Sequence, residues 1–237
     1  MSLPKVVSQE EWTEARKALL DKEKELTRAR DRLNSERRNL PMVKVEKDHV
    51  FDGPDGKVTL LDLFDGKRQL IISHFMFDPD WEEACSSCTA GHDEIADGFL
   101  RHLHARDTNY VSVSRAPLAK IEAYKAKKGY TFPWVSSGES DFSYDFHASF
   151  DDTLESPEYN YAPVTVEPGQ KFEGPGLSCF LRDGDTVYHT YSVYARGLES
   201  TGGAYYFLDL TALGRQEDWE EPRDRAPRYK NMPNFEE

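Results

Sequence analysis

Residues 69–104 read QLIISHFMFDPDWEEACSSCTAGHDEIADGFLRHLH. Positions 70–77 are apolar except Ser73 and His74, the pattern of a strand covered on both faces and so of a central strand. A short acidic loop follows, and then Cys85-Ser86-Ser87-Cys88 at the start of a helical stripe that continues through Ile95, Phe99, Leu100 and Leu103. A strand that delivers two cysteines to a helix N-terminus has a chemical consequence. The partial positive charge of the helix end favours the thiolate, which is the attacking species in disulfide exchange.

Toward the C-terminus, NYVSVS at 109–114 predicts a second core strand, and PLAKIEAYKAKK at 117–128 a helix with proline in its first turn and Gly129 after its end. Strand, helix, strand, helix implies parallel pairing through right-handed crossovers. FPWV at 132–135 predicts a short edge strand, because its proline cannot donate to a ladder. Residues 138–175 are rich in proline and glycine. Phe142, Tyr144, Phe146, His147 and Phe150 supply aromatic anchors there, so the segment reads as an irregular insertion that packs by its rings and walls a site. Residues 177–182 and 186–194, around Asp183-Gly184, form a hairpin, and 197–210 predict a closing helix that buries Tyr205, Tyr206 and Leu208. The remainder is charged and proline-rich, as in an irregular tail.

Toward the N-terminus, VKVEKDHVF at 43–51 alternates as one strand with a single buried face, leaving His49 exposed. The turn 52–56 and the run 57–64 add a hairpin and a helical turn. Residues 8–39 predict a long polar helix: Ser8 and Glu11 make a capping box, Val7 and Trp12 a hydrophobic staple, and Pro41 ends it. Trp12, Ala15, Leu19, Leu26, Ala29 and Leu33 form a narrow stripe interrupted by Lys22, which needs either the chain's own domain or, in a homodimer, a second copy to cover it. The expected organisation is a helical arm at 1–41, an α/β domain at 42–213 containing the insertion 138–175, and a tail at 214–237.

Forty-three acidic residues against 30 basic ones give a net charge of -13, which argues against nucleic acid and anionic membrane surfaces as partners. No run approaches the roughly 18 to 20 apolar residues of a membrane span, and the N-terminus lacks an apolar leader core, so a cytoplasmic location is expected. In that reducing setting three cysteines do not make a disulfide framework, and the close-spaced two read as a working pair.

The segments LPKVVSQEEWTEARKALLDKEKELTRARD, LPMVKVEKDHVFDGPDGKVTLLDLFDGKRQLIISHFMFDPDWEEACSSC, VSVSRAPLAKIEAYKAKKGYTFPWVSS, DFSYDFHASF, YHTYSVYARGL and YYFLDLTALGRQEDWEEP resemble the bacterial DUF899 group, thioredoxin-like proteins often labelled dithiol-disulfide isomerases. The resemblance implies a thioredoxin-like α/β fold, a central mixed sheet flanked by helices. It also implies thiol-disulfide exchange by Cys85 and Cys88 on a protein or low-molecular-weight thiol substrate, with no cofactor required. Departures from a working thioredoxin are specific. Ala84 precedes Cys85, two serines separate the cysteines, and Trp81 stands four residues away. Glu82 and Glu83 flank the helix start, where like charge tends to raise the Cys85 pKa. Pro175 is the candidate for the proline that faces a thioredoxin dithiol, although Gly176 and Leu177 separate it from Ser178. The related peroxiredoxin signature P-x-x-x-[TS]-x-x-C is not met, since Pro79 is followed by Glu83 and Ser86 at the required positions.

Two other readings use the same residues. Cys-x-x-Cys is half a tetrahedral site, and His74, His92, His147, His189 and Cys179 are candidates to complete one for copper or zinc. The third reading is a binding module with an inert dithiol. Arg115 and Arg196 lie at element ends where substrate-facing groups gather in α/β sheets and can hold a substrate carboxylate, surface ion pairs being their commoner use.

Overall fold

The computed structural model describes residues 3–138, 140–201, 203–212, 216–219 and 221. The described residues divide into two units, one holding the stretch up to Pro41 together with those from Leu208 to 221, the other Met42–Phe207.

In the first unit α1 spans Gln9–Arg38. The Ser8 hydroxyl accepts from the Glu11 amide at 3.2 Å and the Glu11 carboxylate accepts from the Ser8 amide at 3.0 Å, the expected capping box. Glu10 and Glu11 in the first turn and Arg37 and Arg38 in the last complement the helix dipole. No residue of α1 is buried, and Trp12, Leu19, Leu26 and Leu33 are 53%, 51%, 71% and 53% exposed.

In the second unit the strands begin with β1 Val43–Lys44, β2 Val50–Gly53, β3 Gly56–Thr59 and, after a 3-10 turn at Asp62–Phe64, β4 Gln69–His74. Helices α2 Ser86–His92 and α3 Asp97–His104 lead to β5 Thr108–Ser114, α4 Leu118–Lys128, β6 Trp134–Ser136 and α5 Phe142–Asp145. The insertion adds β7 Ser149–Asp151, β8 Glu158–Tyr159, β9 Ala162–Pro163 and β10 Lys171–Glu173 before the hairpin β11 Gly176–Asp183 and β12 Thr186–Tyr194. A 3-10 turn at Ala195–Thr201 and α6 Gly203–Leu208 follow.

The main sheet has the order β1-β12-β11-β4-β5-β6-β2-β3. β4 pairs parallel with β5, β11 antiparallel with β4, and β12 antiparallel with β11. Two parallel strands joined through helices, followed by an antiparallel hairpin on the first of them, is the thioredoxin-like arrangement, and β4 is central as its apolar run requires. Its side chains alternate. Leu70 and Ile72 enter one core with Val111, Val113, Phe142 and Phe180, while Ile71 and Phe75 face the other, with Cys88, Tyr110 and Trp134. Every residue of β5 is buried, as double coverage demands.

Five expectations need correcting. The stretch 43–51 is not one strand: β1 pairs with β12 at one edge of the sheet, whereas β2 pairs with β3 and β6 at the other side. Alternation reports spacing but not the neighbour, and Lys47, bonded to Asp141 and Asp145 at 2.6 and 2.7 Å, lies where the chain crosses over. His49 is consequently 3% exposed, between the rings of Phe142 and Phe146. The strand around 132–135 is internal rather than an edge, because β2 reaches it at Asp52 and Ser136, while Pro133 falls just outside and lends its carbonyl to the Ser112 amide at 2.9 Å. The helix after the cysteines breaks into α2 and α3, Tyr130 donating to Asp93 where α2 ends. The closing helix is a 3-10 turn and a short α6, in keeping with the poor helix propensity of its glycines. The side chains of Tyr205 and Tyr206 lie outside the described residues, as does the tail from 214 apart from 216–219 and 221. The insertion does pack by its rings, with Phe150 stacked on Phe172 at 4.6 Å and Tyr159 edge-on to Phe150 at 5.8 Å. Among the described residues no helix is long and apolar enough to cross a membrane.

Candidate functional site

Beyond the end of β4 the chain stays fastened to β5: the Phe75 amide donates to Val113 at 2.9 Å and the Ala116 amide to Phe77 at 2.7 Å. Asp78 turns the loop, accepting from the Asp80 amide through its carboxylate at 2.8 Å and from the Trp81 amide through its carbonyl at 3.1 Å. The return is closed when the Cys85 amide donates to the Met76 carbonyl at 3.1 Å and the Cys85 carbonyl accepts from Thr89 at 2.9 Å. Cys85 is therefore the N-cap residue of α2, with φ -57° and ψ 125°, and Cys88 lies one turn inside it.

The two thiols differ sharply. Cys85 is partly exposed and Cys88 is buried. Hydrogen bonding from the Cys88 thiol, helped by the amides of Cys88 and Ser87, outweighs burial and brings the Cys85 pKa down to about 6. The same bond, burial and the nearby Cys85 charge push Cys88 well above its ordinary value, the Met76 amide opposing them and the Glu173 carboxyl adding to them. The upward push on Cys85 expected from Glu82 and Glu83 is overridden; both are exposed, and Glu83 pairs with Lys127 at 3.1 Å.

Beside the dithiol stands a buried cluster of ionisable side chains. The Arg115 guanidinium, just past β5, lies over the Tyr144 ring at 4.8 Å, with Nη1 3.7 Å from Asp78 and 3.8 Å from Glu173. Ser149 donates to Glu173 at 2.9 Å, yet burial still raises that carboxyl to about 8. Tyr159 donates to the Pro175 carbonyl at 2.9 Å, accepts from the Ala195 amide at 3.1 Å and lies against Gly174, where an added Cβ would stand 2.6 Å from its ring. Tyr110 packs in the same buried cluster as Cys88. The insertion thus brings Glu173, Tyr159 and Pro175 to the dithiol side. Sequence reasoning picked out Pro175 and Arg115 but missed Asp78, Tyr110, Tyr159 and Glu173. Asp78 is one acid in an acidic loop, and Glu173 is a lone acid in a segment without periodicity, so nothing in the pattern marks them.

The histidines do not join the cysteines as a ligand set. His92 donates from Nδ1 to the Cys88 carbonyl at 2.8 Å, since a carbonyl only accepts; its Nε2 then accepts from Ser112 and Tyr110 at 3.0 and 3.1 Å. Burial lowers its pKa to about 4. His74 lies on the opposite sheet face, stacked on Phe142, its pKa brought by burial to about 3. Its Nε2 meets Ser178 at 2.9 Å, Ser178 meets Ser192 at 2.8 Å, and Ser192 meets His189 Nε2 at 2.7 Å. His147 follows α5 at a positive φ of 53°, and Cys179 sits in mid-strand opposite Ile71. Among the described residues no group of three or more His, Cys, Asp or Glu is placed to hold a metal ion. Arg196 is exposed and bonded to Glu199 at 2.8 Å, a surface ion pair, and Trp81 is 36% exposed, its carbonyl bonded by Lys120.

Comparison with curated proteins finds no match. Among solved structures the chain is similar to a cysteine-to-serine mutant of PrxQ from Xylella fastidiosa, at 16% identity over 68% of this chain and 91% of that one with a TM-score of 0.47. It is also similar to a cysteine-to-serine mutant of peroxiredoxin Q from Xanthomonas campestris, at 16% identity over 61% and 79% with a TM-score of 0.42. A family model described as DUF899, bacterial protein of unknown function, matches residues 1–235. With a match of that extent, the chain belongs to the DUF899 family.

Proposed function

We propose that this protein is a thiol-disulfide oxidoreductase whose dithiol is Cys85 and Cys88. The observation that carries this reading is the asymmetry of the pair: an accessible sulfur with a pKa of about 6, charged by donors at a helix start, and a buried partner that keeps its proton. The Cys85 thiolate attacks one sulfur of a substrate disulfide, forming a mixed disulfide and expelling a thiolate. With Cys85 now in a disulfide, the bond that stabilised its charge is gone, and Cys88 gives up its proton and attacks the Cys85 sulfur. The second substrate thiolate leaves and takes a proton, so two electrons pass from the dithiol to the substrate and Cys85–Cys88 ends as a disulfide. No resident cofactor is needed.

The substrate is a protein disulfide or a low-molecular-weight disulfide that approaches past Trp81 and Pro175. In this reading Arg115 is paired with Asp78, beside a Glu173 carboxyl that burial keeps mostly protonated at neutral pH, and does not grip a substrate carboxylate. Regeneration calls for a thiol reductant, as a reducing cytoplasm supplies. The test is to oxidise the reduced protein with a small disulfide and count alkylatable thiols. Loss of two thiols, recovery of a Cys85–Cys88 cross-linked peptide and insulin reduction that Cys85→Ser abolishes are expected. Failure of that peptide to form, or stoichiometric metal that disappears in Cys85→Ser, overturns the reading.

A further inference from the structure

Residues 78–83, DPDWEE, carry the chain from β4 to the cysteine pair, and cations from three directions meet them. Arg115 stands 3.7 Å from Asp78, Lys171 of β10 donates to Asp80 at 2.6 Å, and Lys127 of α4 pairs with Glu83 at 3.1 Å. These three hold side chains, and a held side chain leaves the backbone behind it free to turn about the bonds between.

Lys120 holds the backbone itself. From the first turn of α4 its Nζ donates to the Pro79 carbonyl at 3.1 Å and to the Trp81 carbonyl, and it lies over the Phe77 ring, 5.4 Å from the centroid. One ammonium thus fixes two peptide planes of the loop. Tyr124, four residues along the same helix and so on the same face, meets the Thr89 hydroxyl of α2 at 2.7 Å. α4 therefore grips the loop before Cys85 through Lys120 and the helix after it through Tyr124.

Cys85 needs such a grip. It caps a helix of only seven residues and makes no side-chain cap bond, and its place there is closed by its own amide on the Met76 carbonyl at 3.1 Å. We propose that Lys120 is a positioning residue of the dithiol: by anchoring the Pro79 and Trp81 carbonyls it seats Cys85 at the start of α2, with its sulfur against the amides of the first turn. Lys120 acts through the loop and not on the sulfur. The inference rests on the reading of Cys85 and Cys88 as the working pair.

The test is the pH midpoint of iodoacetamide alkylation, followed on the Cys85 peptide. Lys120→Met keeps the apolar stem and loses both bonds; its midpoint should lie above that of the wild type by roughly half to one pH unit, the scale of two bonds from one partly exposed ammonium. Lys120→Ala, which suits the helix, should show the same rise, and Lys120→Arg, a cation with several donors, should return most of it. Lys127→Met removes the same charge from α4 but only a side-chain partner from the loop, and should stay within about 0.2 unit of the wild type. A wild-type midpoint in folded Lys120→Met or Lys120→Ala refutes the positioning role. An equal rise in Lys127→Met refutes it too, because loss of positive charge would then account for both. A midpoint that moves in a protein that exchanges no disulfide overturns the proposed reaction and leaves the positioning of Cys85 standing.

Discussion

Replacing Cys88 by alanine separates the two sources of thiolate stabilisation at Cys85. The substitution removes the S–H donor but keeps the backbone amides of residues 87 and 88, which also point at the sulfur. The S–H bond is the largest influence lowering Cys85 to about 6, so its loss should carry the pKa most of the way back toward the ordinary value. At pH 7 a thiol of pKa about 6 is ~90% thiolate, and one near ~8.5 is ~3% thiolate, a fall of about thirtyfold. Rate alone is nevertheless a poor readout. With a Brønsted coefficient of ~0.4–0.5, the more basic thiolate is itself about tenfold more nucleophilic, so the rate at pH 7 drops only about threefold. The decisive measurement is the midpoint of the pH profile for iodoacetamide alkylation, followed on the Cys85 peptide by mass spectrometry so that Cys179 does not interfere. We expect a midpoint near 6 in the wild type and above about 8 in Cys88→Ala. A midpoint that stays near 6 in the variant would refute the reasoning and leave the helix-end amides as the sole source of the effect.

Stability against pH tests the buried groups. His74 and His92 have folded pKa values of about 3 and about 4, below the ordinary value of about 6.5; their contribution is full above that value and is lost on acidification, costing about 4 kcal/mol between pH 7.5 and 5. Glu173, raised to about 8, runs the other way, its contribution present below its unfolded pKa and lost as pH rises, so it returns about 3 kcal/mol over the same fall. Urea titrations should therefore show a loss on this acidification about 3 kcal/mol larger in Glu173→Gln than in the wild type, and equal losses would contradict the assignment. Gly176→Ala should lower stability by about 1–3 kcal/mol, because the new Cβ meets the Tyr194 ring at 2.7 and 2.8 Å and that ring is anchored through its hydroxyl to Phe146. A melting temperature unchanged from wild type would show that the Tyr194 ring gives way.

What could be read from the sequence follows from how each residue's role is encoded. The β4 run, the two-cysteine turn, the capping box at Ser8 and the hairpin of β11 and β12 are local patterns, and they stand in the structure as written. The crossing of 43–51 from one edge of the sheet to the other, and the internal place of β6, depend on which strands meet across long separations, which periodicity does not carry. His49 followed the same error: assigned to a polar face, it is enclosed by Phe142 and Phe146 from the insertion. At the site the cysteines were legible because chemistry demands close spacing. Glu173 was not, since its raised pKa comes from burial supplied by elements distant in sequence. The balance at Cys85 could not be struck from sequence either, because one-letter codes show the charges of Glu82 and Glu83 but not that the Cys88 thiol points at the sulfur.

The margins of the main sheet have a consequence for how the protein behaves in a crowded solution. Its outermost strands are only two residues long, Val43–Lys44, and four, Gly56–Thr59, and each displays a lysine. A sheet of eight strands could offer long open rows of amides and carbonyls to other chains, a template for aggregation. Here the rows are too short and too charged to propagate, so this protein should stay in solution at concentrations where a longer, uncharged margin would seed precipitates.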